Sequence, residues 1–212
     1  MFGIDVANSG FFRAMVRSPE FAKVSFLVHE RVPPEELRSR FMDDGGGISG
    51  EIESAGLFNT SVVQAAGTLL RGTANLSDLA WLRRETAGDR GYSLVGLIHC
   101  VAPPALRQEI ANTTIAPTQP WDALICTSPA VRDVAHEIFA EWTDYIAGRF
   151  EGNRQLRPTP LLPLIPLGVD CERIAAAADR PATRAKIRAE LEVSAEDVLV
   201  LWVGRLSFFE KA

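Results

Sequence analysis

Apolar and polar positions along the chain fall into two alternating textures. Short apolar runs suit strands, and longer stretches repeat at helical spacing. Lys23 to His29 and Ser93 to His99 read as strands, the second as a continuous buried run. Asp122 to Thr127 is a third, and Asp197 to Gly204 (Asp-Val-Leu-Val-Leu-Trp-Val-Gly) a fourth, closed by glycine. Between them, the spacing predicts helices over Ser9 to Arg17, Pro33 to Phe41, Asn75 to Arg84, Pro103 to Ile110 and Pro181 to Leu191. Glu35 and Glu36 sit where a helix start favours acids. Asn75 or Ser77 is the expected cap of its helix. The strongest periodicity follows Ser128, a cap residue with Pro129 in the first helical position. Val131, Val134, Ala135, Ile138, Phe139, Trp142, Tyr145 and Ile146 recur on one face over about five turns. His136 lies off that stripe and reads as a solvated residue.

After Gly152 the texture changes. Arg157 to Asp170 is rich in proline and strongly apolar, which excludes a helix and disfavours a central strand. It reads as an extended connector at a domain boundary. Apolar strands alternating with helices imply an α/β fold: a Rossmann-like, three-layer domain around a parallel sheet. Ligands of such sheets bind beyond the carboxyl ends of the strands. That rule singles out His99-Cys100 and Gly204-Arg205.

Composition narrows the classes. The chain has 212 residues, 47% hydrophobic and 23% charged, enough to bury a sizeable core. A net charge of −5 and the lack of a long basic run argue against nucleic acid as partner. No stretch reaches the ~18 apolar residues of a membrane span, and the first residues lack the pattern of a secretion signal. Cys100, Cys126 and Cys171 are odd in number and widely separated, which fits reduced thiols in the cytoplasm. With His29, His99 and His136 far apart, no metal-ligand spacing appears. Asp43-Asp44-Gly45-Gly46-Gly47 reads as a loop without the strand–loop–helix setting of a phosphate cradle.

Gly204 ends its strand where a close backbone approach is useful, and Arg205 and Lys211 flank the following loop. Two cations there can neutralise a diphosphate, Arg with its fork and Lys as a point charge. The bland alternative is a pair of solvated rim charges.

With Ile165-Pro166-Leu167-Gly168-Val169-Asp170 before it, this Gly204-Arg205…Lys211 arrangement resembles the middle of a group 1 (family 4) retaining glycosyltransferase. Gly96-Leu97-Ile98-His99 and Ala123 to Ser128 are similar to two first-domain strands of that family. Ala212 stands where the family often has glycine. The resemblance implies a GT-B architecture of two Rossmann-like domains. Residues 1–160 would form the acceptor-side N-terminal domain, and 161–212 the truncated start of the nucleotide-sugar-binding domain. It implies transfer of a hexose from a nucleotide-diphosphate sugar to a hydroxyl acceptor with retention, without metal or other cofactor. Gly204, Arg205 and Lys211 would bind the donor diphosphate, and His99 would face the donor sugar in the catalytic cleft. The family's first strand and glycine-rich loop are absent or reduced to Gly3, and its paired glutamates lie beyond Ala212. The expectation is therefore an N-terminal portion with negligible turnover by itself. Two other readings stay open. One is a non-catalytic, truncated Rossmann-like binding module, self-associating through the strand edge and aromatics of Leu199 to Phe209. The other is a different GT-B enzyme such as a sugar-nucleotide epimerase.

Overall fold

The computed structural model describes residues 3–30, 32–42, 47–150, 160–178, 181–194 and 196–202. The chain forms two compact units, one ending at Leu167 and the other beginning at Gly168. Residues 161–167 fall within the first of these units.

The first unit is α/β. Its elements are α1 (Gly3–Arg17), β1 (Lys23–Val28), α2 (Pro34–Met42), β2 (Glu51–Gly56), α3 (Thr60–Ala66) and β3 (Thr68–Arg71). They continue with α4 (Ser77–Thr86), β4 (Ser93–Ile98), α5 (Pro104–Asn112), β5 (Ala123–Cys126) and α6 (Pro129–Arg149). All strand pairs are parallel, consistent with Rossmann-like layering, but they form two small sheets instead of one. β1 pairs with β2 from Lys23 opposite Glu51 to Val28 opposite Gly56. The other sheet has the order β3-β4-β5, with Leu69 opposite Leu94 and Leu97 opposite Ile125. A buried cluster lies beside each sheet. Val16, Leu37 and Ile52 form the smaller one beside β1 and β2, with Val24 and Phe26 packed against it. The larger holds Leu76, Leu94, Ile98, Ile110, Leu124, Ala135, Ile138 and Phe139, and Leu27 of β1 packs against it. Burying each such Leu, Ile or Phe contributes about 1.5–3 kcal/mol.

Gly96 lets β4 sit tightly in that core. A Cβ there would lie 2.7 Å from Leu124 Cδ2 and 2.9 Å from the Thr73 carbonyl oxygen. At the opposite end of β4, Arg83 and Asp122 form a fully buried, two-pronged ion pair with N–O distances of 2.7 and 2.8 Å. Arg83 also donates to the carbonyls of Tyr92 and Pro117, while Asp122 accepts from the backbone N–H groups of Leu94 and Gln119. The pair ties α4 to the entries of β4 and β5.

Helix α6 starts as its sequence predicts: Ser128 Oγ accepts from the Val131 N–H at 3.2 Å, with Pro129 following. Ala135, Ile138 and Phe139 of the stripe are buried, His136 is exposed, and Tyr145 is exposed because the helix extends past the core. At α4 the expected side-chain cap is missing. Leu76 holds the cap position, and Asn75 instead accepts from Ser77 Oγ and donates to Asp78.

The proline-rich connector lies along β5 as a parallel extension of the sheet. Leu161 bridges to Ala123 and Leu164 to Cys126. Leu161 N–H donates to Asp122, Leu124 N–H to Leu161, Cys126 N–H to Pro163 and Ile165 N–H to Cys126, at 2.8–2.9 Å. In this register Pro163 occupies the place whose N–H would reach the Leu124 carbonyl, so one rung is missing. Proline is tolerated there because the segment is at the sheet's edge.

The second unit contains α7 (Cys171–Ala178) and α8 (Pro181–Glu190). Beyond α8 the chain turns through Glu192 at a φ of 54°, and Arg188 donates to the carbonyls of Ser194 and Asp197. No described residue of this unit is buried. The expected strand from Asp197 is not formed over 198–202. Val198 is 90% exposed and Trp202 65%, and among the described residues of this unit none pairs with them in a ladder.

Candidate functional site

The carboxyl ends of β3 and β4 bring together residues from three parts of the first unit. β4 is buried over Leu97 and Ile98, so it delivers His99 at the point where the chain leaves the core. β3 ends at Arg71 and is followed by the buried Gly72. Helix α1 supplies Asn8, whose Nδ2 donates to the Gly72 carbonyl at 2.9 Å and whose Oδ1 lies 2.9 Å from His99 Nε2. Gly72 makes this approach possible: a Cβ there would lie 2.6 Å from Asn8 Oδ1. Burial lowers the His99 pKa below its usual 6.5, partly opposed by the Gly72 carbonyl. The half-buried imidazole is thus biased toward its neutral form.

Around this cluster, Thr127 Oγ1 donates to the Ile98 carbonyl at 3.1 Å, fixing the end of β5 against that of β4. Cys100, also half-buried, accepts from the Ala102 N–H through Sγ at 3.4 Å. Arg71 donates to the Asn75 carbonyl. The field of Arg71 reaches Glu109 on α5, where it opposes burial, the larger influence, which raises that carboxyl above its usual 4.5. Glu109 Oε2 is shielded from solvent and has no hydrogen-bond partner.

A separate cavity of about 380 Å³ opens at the carboxyl ends of β1 and β2. Val28, His29, Glu53, Ser54, Gly56 and Asn59 contribute to its lining, and His99 does not. Glu53 is already engaged there by Lys23 at 2.9 Å and by Ser25, which hold its carboxyl below the usual range.

Of the site residues expected from sequence, His99 is placed at a strand end among polar partners. Gly204, Arg205 and Lys211 lie outside the described residues. Asn8 and Gly72 escape a reading based on apolar runs. The available signal was the glycine directly after Leu69-Leu70-Arg71, the mark of a strand end that something approaches closely. Among the described residues, no group of three or more His, Cys, Asp or Glu is placed to hold a metal ion. No described helix is long and apolar enough to cross a membrane. No family model, curated protein or solved structure matches the chain.

Proposed function

We propose that the chain is the acceptor-side portion of a retaining glycosyltransferase that uses a nucleotide-diphosphate sugar. The observation that carries this reading is His99. It stands at the carboxyl end of a buried parallel strand, partly desolvated and bracketed by Asn8 and Gly72, where α/β sheets bind their ligands. The Gly204-Arg205…Lys211 spacing in the sequence supports it from the donor side. In this reading a hexose passes from the donor to a hydroxyl acceptor with retention. Arg205 and Lys211 stabilise the charge that develops on the departing diphosphate. His99 hydrogen-bonds a hydroxyl of the donor sugar and holds it for transfer.

Ligand-observed saturation-transfer NMR on the whole chain tests this, using a panel of UDP-, GDP- and ADP-linked hexoses. The expected result is transfer to both nucleotide and sugar protons of one donor. His99→Ala should weaken the sugar signal, and Arg205→Ala with Lys211→Ala the nucleotide signal. Absence of any contact with the whole panel at millimolar concentration overturns the proposal.

A non-catalytic binding module is the second reading, favoured by the exposed apolar run Val198, Val200, Leu201 and Trp202. It expects self-association in sedimentation velocity with no nucleotide-sugar contact, and a clean monomer counts against it.

A further inference from the structure

The Asn8–His99 contact contains more chemical information than a distance. A carboxamide has one donating end and one accepting end. The Gly72 carbonyl can only accept, so the Nδ2 end of Asn8 must face it, as the 2.9 Å bond shows. That fixes Oδ1 toward the imidazole, 2.9 Å from Nε2. An oxygen in that position can only accept, so the nitrogen opposite must carry a hydrogen.

We propose that Asn8 is a positioning residue that sets the tautomer of His99: its carboxamide, oriented by the Gly72 carbonyl, holds the ring hydrogen on Nε2 and leaves Nδ1 as the acceptor of the neutral imidazole. That orientation is fixed, because a backbone carbonyl accepts and cannot donate. Gly72 is part of the device, since a side chain there would occupy the space the carboxamide uses. The Nδ1 atom of neutral His99 then accepts a hydrogen bond from a hydroxyl or takes up a proton. It cannot donate to a ligand carbonyl or phosphate oxygen. Naming that hydroxyl as one of a sugar rests on the function proposed above; the tautomer does not.

The test is NMR on the whole chain with ¹⁵N-labelled histidine, His99 being distinguished from the exposed His29 and His136 by a His99→Gln sample. Above the titration of the ring, long-range ¹H–¹⁵N spectra should show His99 as a single Nε2–H tautomer with a solvent-protected ring hydrogen. Asn8→Ala should convert it to an exchange-averaged mixture with about tenfold faster hydrogen exchange, the loss of one hydrogen bond. Gly72→Ala should move it the same way without altering either partner. An Nδ1–H pattern in the unmodified protein overturns the proposal. So does an Asn8→Ala spectrum identical to it. If Asn8→Ala fails to fold, Gly72→Ala reads the same effect, and an Nδ1–H pattern in the unmodified protein still overturns the proposal. Failure of every nucleotide sugar to bind leaves the tautomer standing and removes only the sugar as its ligand.

Discussion

Replacing Arg83 by methionine removes the cation of the buried pair while keeping much of its apolar stem. The guanidinium makes bonds of 2.7 and 2.8 Å to the two Asp122 oxygens and of 2.8 and 3.1 Å to the carbonyls of Tyr92 and Pro117. In Arg83→Met the Asp122 carboxylate keeps only the N–H groups of Leu94 and Gln119, and two buried carbonyls lose a donor. Breaking a buried pair from one side costs about 3–5 kcal/mol, most of it the penalty for an uncompensated charge. Against a typical total stability of about 5–15 kcal/mol this is a large share. For a chain of this size it corresponds to a fall in Tm of roughly 6–20 °C. Asp122→Ala should cost at least as much, because it strands the guanidinium and two backbone N–H groups together. Urea unfolding followed by far-ultraviolet circular dichroism and tryptophan fluorescence reads both effects. The double variant should cost clearly less than the sum of the singles, since each single leaves the other group's charge unpaired. An Arg83→Met protein within about 1 kcal/mol of the parent would refute the reasoning, as would strictly additive singles.

Gly96→Ala should destabilise by about 1–3 kcal/mol, because its Cβ meets Leu124 and the Thr73 carbonyl. Gly56→Ala, with nothing within 4 Å of the added carbon, should shift the urea midpoint little. Glu109 gives a pH dependence of defined sign. Its folded-state pKa is raised above 4.5, so the folded protein holds the proton more tightly than the unfolded chain. The stability it contributes is full below 4.5 and is lost as pH rises through the raised value. Glu109→Gln should therefore gain on the parent in urea midpoint at neutral pH and converge with it in acid.

The sequence was most legible where one physical signal acted alone. The buried run of β4, the stripe of α6 and the Ser128-Pro129 start were readable because burial and capping leave residue-type patterns. β2 and α3 left none. Glu51, Glu53 and Gly56 do not look like a strand until the neighbouring β1, with its Lys23 and Ser25, explains the acids by pairing. α1 begins at Gly3, six residues before the helix expected from Ser9, and takes in Ile4, Val6 and Ala7. The partners of His99 were illegible for another reason. Asn8 is 91 residues away in sequence, and nothing local distinguishes it from any polar helix residue. The run from Asp197 shows the opposite failure, because its strand-like composition expressed a preference that only a pairing neighbour can satisfy.

The other prolines of the connector bear on what the sheet can recruit. An edge strand is normally a template for further strands, in the same molecule or another. With Leu161 and Ile165 turned toward β5, the backbone of residues 160, 162, 164 and 166 faces outward. Two of those four are Pro160 and Pro166, which have no N–H to offer. An incoming strand would find donors only at Leu162 and Leu164, too few for a continuous ladder. The prolines that disguise this segment as a linker thus also leave its outer edge a poor template for a further strand.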